Sequence, residues 1–422
     1  MNRTYRTLES TYVIDCGTLI DGVSEKPIDD ACVVVENGRI AEVGMQTDVP
    51  IPDGAEYVDH SDTAVIPGMI DAHVHVTGWR SMNADDWLVL DDALGAARAT
   101  TDLKRLLASG FTTVRDVGSR TDLGLRKAIE EGEIPGPRIY TSELGLSQTA
   151  GHEDVHHVPY EWVEDRGTPL AVIADGEDEC RKETRKRIRK GVDLIKIQTT
   201  GGVMSEKNKP DEAQYTPEEI RAITEEAHRV NIPVAAHAQH SVGVKLALEN
   251  GVDTIEHGFV LNEESIELFL ETDAIFVPTY WAISRLVEHG AEYDVPEFAL
   301  RKATASLEDH IDSLTRTYEA GVPIALGTDL VGAEPLGPHG LNAEEAKAYV
   351  RDIGMTEMEA IQSATSIAAR TVTDDHIGSI ESGDHADMVV LGSGPLDDIE
   401  ALSDVEIVYK GGEAISPNEL TG

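Results

Sequence analysis

The stretch Val65-Ile66-Pro67-Gly68-Met69-Ile70-Asp71-Ala72-His73-Val74-His75-Val76 reads as an apolar strand that ends in two histidines. Side chains alternate across a strand, so His73 and His75 share one face while Val74 and Val76 take the other. Two imidazoles placed in this way can reach one ion. Pro67 and Gly68 suit a turn leading into the strand, and a strand end that opens on a cavity is where an α/β barrel keeps its chemistry. A single His-x-His pair also occurs half-buried in structural strands, so its meaning depends on what the other strand ends of the chain carry.

Downstream, strand-like runs alternate with helix-like segments. The runs fall at 69–76, 112–117, 138–142, 192–198, 232–237, 252–257, 274–278 and 322–328. Several follow a helix that stops on glycine, as at Gly110, Gly191, Gly251 and Gly321. Eight such units predict a (β/α)8 TIM barrel. Both ends of the chain read as β instead: Tyr12–Asp15, then two strands around an Asn37-Gly38 hairpin turn, and near the other end 386–391 and 405–412. Domain termini tend to lie close together. The predicted organisation is therefore a barrel over 66–378 and a small β-sandwich domain formed by 1–65 and 379–422.

The remaining barrel strands end in groups that bind metals. Strand four, Val192-Asp193-Leu194-Ile195-Lys196-Ile197-Gln198, sets a lysine inside an apolar run, where an unpaired ammonium is costly to desolvate. It either reaches the surface or carries a modification that makes it an anionic ligand. Strand five closes on His237, strand six on His257 and strand eight on Asp329. Imidazole nitrogen and carboxylate oxygen suit zinc and similar divalent ions.

The ordered motifs PGMIDAHVH, IKIQTTGG, AAHAQ, IEHG and ALGTD resemble the binuclear branch of the amidohydrolase superfamily, and within it imidazolonepropionase-related and prolidase-like (Xaa-Pro dipeptidase) members. The likeness runs over about residues 12–412. It implies two divalent metal ions, zinc by preference. His73, His75 and Asp329 would bind the inner ion, His237 and His257 the outer one, and a carboxylated Lys196 would bridge them. It also implies that Asp329, with His257 beside it as the second catalytic candidate, works with a metal-bridging hydroxide to hydrolyse a carbon–nitrogen amide bond in a small molecule or dipeptide. Many dipeptidase-like members have a tyrosine two positions after the strand-five histidine. Here that position is Gln239, so a free substrate carboxylate is not implied. His152, Gln239 and Arg80 are the candidate substrate contacts, while His240 and the pair His156-His157 read as surface residues.

Two alternatives compete with this reading. One is a cyclic-amide hydrolase or deaminase on the same fold, which would not need a carboxylated lysine. The other is an inactive barrel serving as an assembly partner, which would be expected to have lost ligands; none is missing.

Composition narrows the partners. A formal charge of −43, from 78 acidic and 35 basic residues in 422, repels nucleic acid and anionic membranes. The acids are spread along the chain, arginines outnumber lysines by 22 to 13, and aromatics make up 5%. That pattern suggests a halophile's surface, on which salt screens the repulsion. Cys16, Cys32 and Cys180 have no zinc-finger or disulfide spacing. The opening MNRTYRTLES lacks an apolar signal core and no run of about 18 apolar residues occurs. The expectation is a cytoplasmic protein able to form a homo-oligomer. The run Arg181–Lys190 is strongly basic and reads as a solvated helix paired with neighbouring acids.

Overall fold

The structure is a computed structural model that describes residues 11–293 and 295–421; the opening decapeptide lies outside them. Its strands, in chain order, are β1 (Thr11–Leu19), β2 (Ile28–Glu36), β3 (Arg39–Met45), β4 (Glu56–Pro67), β5 (Met69–Val74), β6 (Phe111–Asp116), β7 (Arg138–Thr141), β8 (Gly145–Ser147), β9 (Ala171–Ile173), β10 (Ile195–Gln198), β11 (Val234–His240), β12 (Thr254–Val260), β13 (Ile275–Val277), β14 (Met388–Leu391), β15 (Val405–Lys410) and β16 (Glu413–Ile415).

Both chain ends enter one seven-stranded sheet, ordered β16-β15-β14-β4-β1-β2-β3. The β2–β3 hairpin turns on Asn37 and Gly38, both at positive φ (52° and 79°), which is the geometry that favours Asn-Gly in a two-residue turn. Strand β4 runs through the boundary expected at residue 65 and leads into the His-x-His strand after one residue, Gly68.

The middle of the chain forms two parallel sheets, β5-β6-β7 and β13-β12-β11-β10-β8-β9. Strands β5, β6, β10 and β13 are buried at every position, as parallel strands covered on both faces must be. Seven of the eight expected runs coincide with β5, β6, β7, β10, β11, β12 and β13. The eighth, 322–328, is extended without forming a ladder. It touches β13 through a Phe276–Ile324 bridge and β5 through a Val74–Leu330 bridge, and Ala72 N donates to Leu326 O at 2.8 Å. Gly327 explains how closely this segment passes β5, since a Cβ there would stand 2.8 Å from His73 Cβ and 2.3 Å from Val277 Cγ1. Asp329, at φ 58°, then turns the backbone out of extended geometry.

The glycine stops at 110, 191, 251 and 321 all adopt positive φ, as helix ends before a strand require. The basic run lies on the helix Glu177–Lys190. Arg185 pairs with Glu226 at 2.9 Å, and Arg187 and Lys190 reach Glu143 at 3.2 and 2.5 Å, so the helix's charge is directed to neighbouring acids. Among the described residues no helix is long and apolar enough to cross a membrane.

Candidate metal centre and active-site cavity

The strand ends of β5, β10, β11 and β12 converge with Asp329 on one cavity of about 380 Å³. His73, His75, Lys196, His237, His257 and Asp329 all line it. One ligand atom each from His73, His257 and Asp329 lies within 4.8 Å of the others. Asp329 Oδ1 is 3.4 Å from His73 Nε2 and 3.2 Å from His75 Nε2.

Each histidine ring has one nitrogen bonded to the protein, which leaves the other for an ion. His73 Nδ1 meets Glu256 Oε2 at 2.6 Å, His75 Nδ1 meets Gly118 O at 2.8 Å, and His257 Nδ1 meets Thr279 Oγ1 at 2.8 Å. His237 uses its other nitrogen, Nε2, toward Gly201 O at 3.2 Å. This arrangement fixes ring orientation and tautomer, as metal sites require. Behind His73, Arg115 holds the second oxygen of Glu256 at 2.7 Å and donates from Nε to Ala72 O at 2.5 Å. Burial disfavours the Glu256 charge, yet Arg115 and His73 together hold the carboxyl well below the usual range. Asp71 braces the same strand end. It accepts from His73 N, Thr328 Oγ1 and Asn342 Nδ2 at 3.0, 2.7 and 2.7 Å, and burial pushes it up to about 6.

Lys196 is 4% exposed, and among the described residues none hydrogen-bonds its ammonium. Burial pushes it down to about 8, which raises the share of neutral, nucleophilic amine near neutral pH. At Asp329 desolvation would raise the carboxyl, but His73 and His75 hold it well below its ordinary value. Three non-glycine residues at the rim of the site sit in the left-handed region: His257 (φ 78°), Thr279 (φ 52°) and Asp329 (φ 58°). For the β-branched Thr279 this is an outlier, and strain of this kind collects at functional sites.

Of the candidate substrate contacts, His152 and Gln239 line the cavity. The His152 ring stacks on His237 at 4.1 Å between centroids, with Nδ1 3.0 Å from Ser205 Oγ. Gly202 makes room for it, because a Cβ there would come 2.2 Å from His152 Cε1. Gln239 Oε1 accepts from Val203 N at 3.1 Å. Arg80 is not brought to the cavity. Its guanidinium is tethered to Asp102 Oδ2 at 2.9 Å, Trp79 O at 2.6 Å and Arg98 O at 3.1 Å. His240 caps the helix Ser241–Leu248, as a structural residue does. Of the pair read as surface, His157 is exposed and both residues also line the cavity, with His157 Nε2 2.8 Å from Asp85 Oδ1. The apolar lining comes from two clusters, one with Phe259, Ile283, Leu286 and Phe298 and one with Trp79 and Trp87 stacked at 4.0 Å.

Residues 64–415 match the Amidohydrolase family. The chain belongs to that family.

As an amidohydrolase it is an enzyme, a hydrolase of carbon–nitrogen bonds. It is 34% identical to ochratoxinase of Aspergillus niger over 95% of this chain and 86% of that protein. The crystal structure of that ochratoxinase superposes with a TM-score of 0.90, covering 97% of this chain and 96% of the other. A Xaa-Pro dipeptidase, solved with methionine in its active site, is 33% identical with a TM-score of 0.86 and coverages of 96% and 100%. Imidazolonepropionase of Cereibacter sphaeroides is 26% identical over 88% of this chain and 90% of that one. The likeness to these amidohydrolases implies a TIM barrel with an additional domain.

Several residues that support the site are not among the candidates named from the sequence. Glu256, Asp71, Arg115 and Thr279 act through the ligands they hold, and Glu153 joins the cavity from an irregular loop. Glu256 stands beside His257 inside a motif already singled out, and that adjacency is the one clue to it.

Proposed function

We propose that this amidohydrolase is a metal-dependent enzyme that cleaves the amide bond of a small molecule or dipeptide. The observation that carries the reading is the meeting of four oriented histidines, an unpartnered buried lysine and Asp329 on one cavity. In this reading the two parallel sheets and the segment 322–330 act as one eight-unit barrel, and the seven-stranded sheet from both chain ends is its companion domain. The donor set fits two divalent ions, zinc by its preference for nitrogen and oxygen at low coordination number. His73, His75 and Asp329 would hold one, and His237 and His257 the other. Lys196 would serve both after its neutral amine attacks carbon dioxide and loses a proton, becoming a carbamate whose single negative charge is shared by two oxygens. Bound there, such ions supply Lewis acidity that activates water and polarises the scissile carbonyl.

The chain's own groups do the rest. Asp329, kept ionised by its histidines, accepts the proton of the attacking water and delivers it to the leaving nitrogen. His152, locked by Ser205 and His237, orients the acyl oxygen, and Gln239 offers its amide to the substrate. The rim contact between His157 and Asp85 narrows the mouth and limits bulk water. The acidic excess supports a protein adapted to high salt.

Asp329→Asn tests the proton transfer. Turnover should fall by about 10² to 10⁴-fold or more while the melting temperature and the ion at His237 and His257 are kept. Turnover within a few-fold of wild type, with metal bound, would contradict it.

A further inference from the structure

The charges that line the cavity are unbalanced. Apart from Asp329, its acidic side chains are Asp85, Glu153, Asp154 and Glu206. Lys196 is the sole lysine among the lining residues, and no arginine is among them. Three cations of nearby segments are occupied, Lys207 by the carbonyl of His156 at 2.9 Å. Arg80 is tethered behind the wall, and Lys302 donates to the carbonyls of Gly202, Ser205 and Asn208 at 3.1, 2.5 and 2.5 Å.

Two acceptors in the same cavity stand without donors. Among the described residues none hydrogen-bonds the Glu153 carboxylate, which is 18% exposed and has His152 Nε2 at 3.5 Å as its ion-pair neighbour, with the charges of His75 and Lys196 acting on it from farther off. Gln198, 3% exposed and two residues beyond Lys196 on β10, has an Oε1 that accepts nothing. A buried acceptor left empty is costly and a carboxylate more so, so a group that brings several N–H donors and a positive charge fits both. The stacked Trp79 and Trp87 and the rings of Phe259 and Phe298 give such a cation apolar and aromatic flanks.

We infer that Glu153, with Gln198 Oε1, selects an amide substrate that carries a protonated amine and no free carboxylate, such as a dipeptide amide with a free amino terminus. This rests on the proposed function and specifies its substrate class. Hydrolysis removes no charge from the amine, so Glu153 acts by binding and positioning, and its effect belongs mainly in KM.

The test uses the zinc-loaded full chain with three matched substrates: leucyl-proline amide (cation), N-acetyl-leucyl-proline amide (neutral) and N-acetyl-leucyl-proline (anion). In wild type kcat/KM should fall in that order. Glu153→Gln should lower the cation-to-neutral ratio of kcat/KM by about 10- to 100-fold, chiefly through KM, and Glu153→Lys should invert the order. An anion-first order in wild type, or a ratio unmoved by Glu153→Gln, would overturn the inference. Calorimetric binding of n-hexylammonium to the same preparations separates the two levels of the account. If none of the three is hydrolysed yet hexylammonium binding is lost in Glu153→Gln, the inference stands and the peptide-amide reading fails. If hexylammonium binds both proteins equally, or neither, the inference fails whatever is hydrolysed.

Discussion

His73 and Glu256 meet at 2.6 Å between Nδ1 and Oε2, with neither side chain reached by solvent, and Arg115 closes the other carboxylate oxygen at 2.7 Å. The three form a chain from an arginine of β6 to the ring of His73, the proposed metal ligand. Because the carboxylate fixes which nitrogen of His73 carries the proton, it determines the ligand as much as the ligand's own place on β5 does.

Glu256→Gln should therefore do two things at once. It leaves the Arg115 guanidinium buried opposite a neutral amide, which costs about 3–5 kcal/mol when one partner of a buried pair is removed. It also frees His73 to rotate, which lowers metal affinity by about 10- to 100-fold. Chemical denaturation and metal competition on the soluble variant measure both, and a variant with wild-type stability and affinity would show that the chain is ornamental.

Lys196→Ala should lose the second ion and most activity, with partial recovery in short carboxylic acids, because the site needs an anionic two-oxygen ligand there rather than an amine. Isotope-labelled carbon dioxide gives an independent readout, since wild type should show a carbamate resonance that the variant lacks. An unlabelled, unmodified lysine in an active, metal-loaded preparation would contradict the assignment.

His310 is fully buried between Phe259 and Tyr280, with ring centroids at 4.6 and 5.7 Å. Burial pushes it down to about 3, against the opposing pull of the His257 and Pro278 backbone. A histidine whose folded value lies below its ordinary 6.5 binds a proton only when unfolded, so stability is whole above about 6.5 and falls as pH drops toward 3. His310→Gln should remove one proton's worth of that slope, about 1.4 kcal/mol per pH unit. Denaturation midpoints at several pH values between about 4 and 7 decide it; parallel curves for variant and wild type would assign the acid sensitivity elsewhere.

What could be read from the sequence follows from where chemistry interrupts an apolar run. His73, His75, Lys196, His237 and His257 each lie at or near the end of a buried strand, so one-dimensional order already gathered them at one end of the parallel sheets. Glu256 was hidden by the same logic. Strict alternation sends it away from the face of His257, whereas the left-handed backbone at His257 breaks the alternation and lets both residues serve one site. Arg80 was misplaced because its acceptors, Asp102, Arg98 and Gly332, come from other segments, which proximity to the His-x-His motif cannot reveal. Strands β8 and β9 span three residues each, too short to show a period, and the segment at 322–328 has strand composition but departs from a ladder where Gly327 and Asp329 press against β5. Glu153 sits in a loop between β8 and β9, where no periodicity assigns a direction to a side chain.

The central claim is that two divalent ions, held by these six residues, make the enzyme work. Metal content per chain, measured on one preparation as a chelator strips it and zinc restores it, with amide hydrolysis followed in parallel, tests this most directly. The account predicts two ions per chain at full activity, loss of turnover as they leave and recovery as they return. Full turnover in a protein stripped of metal would contradict it.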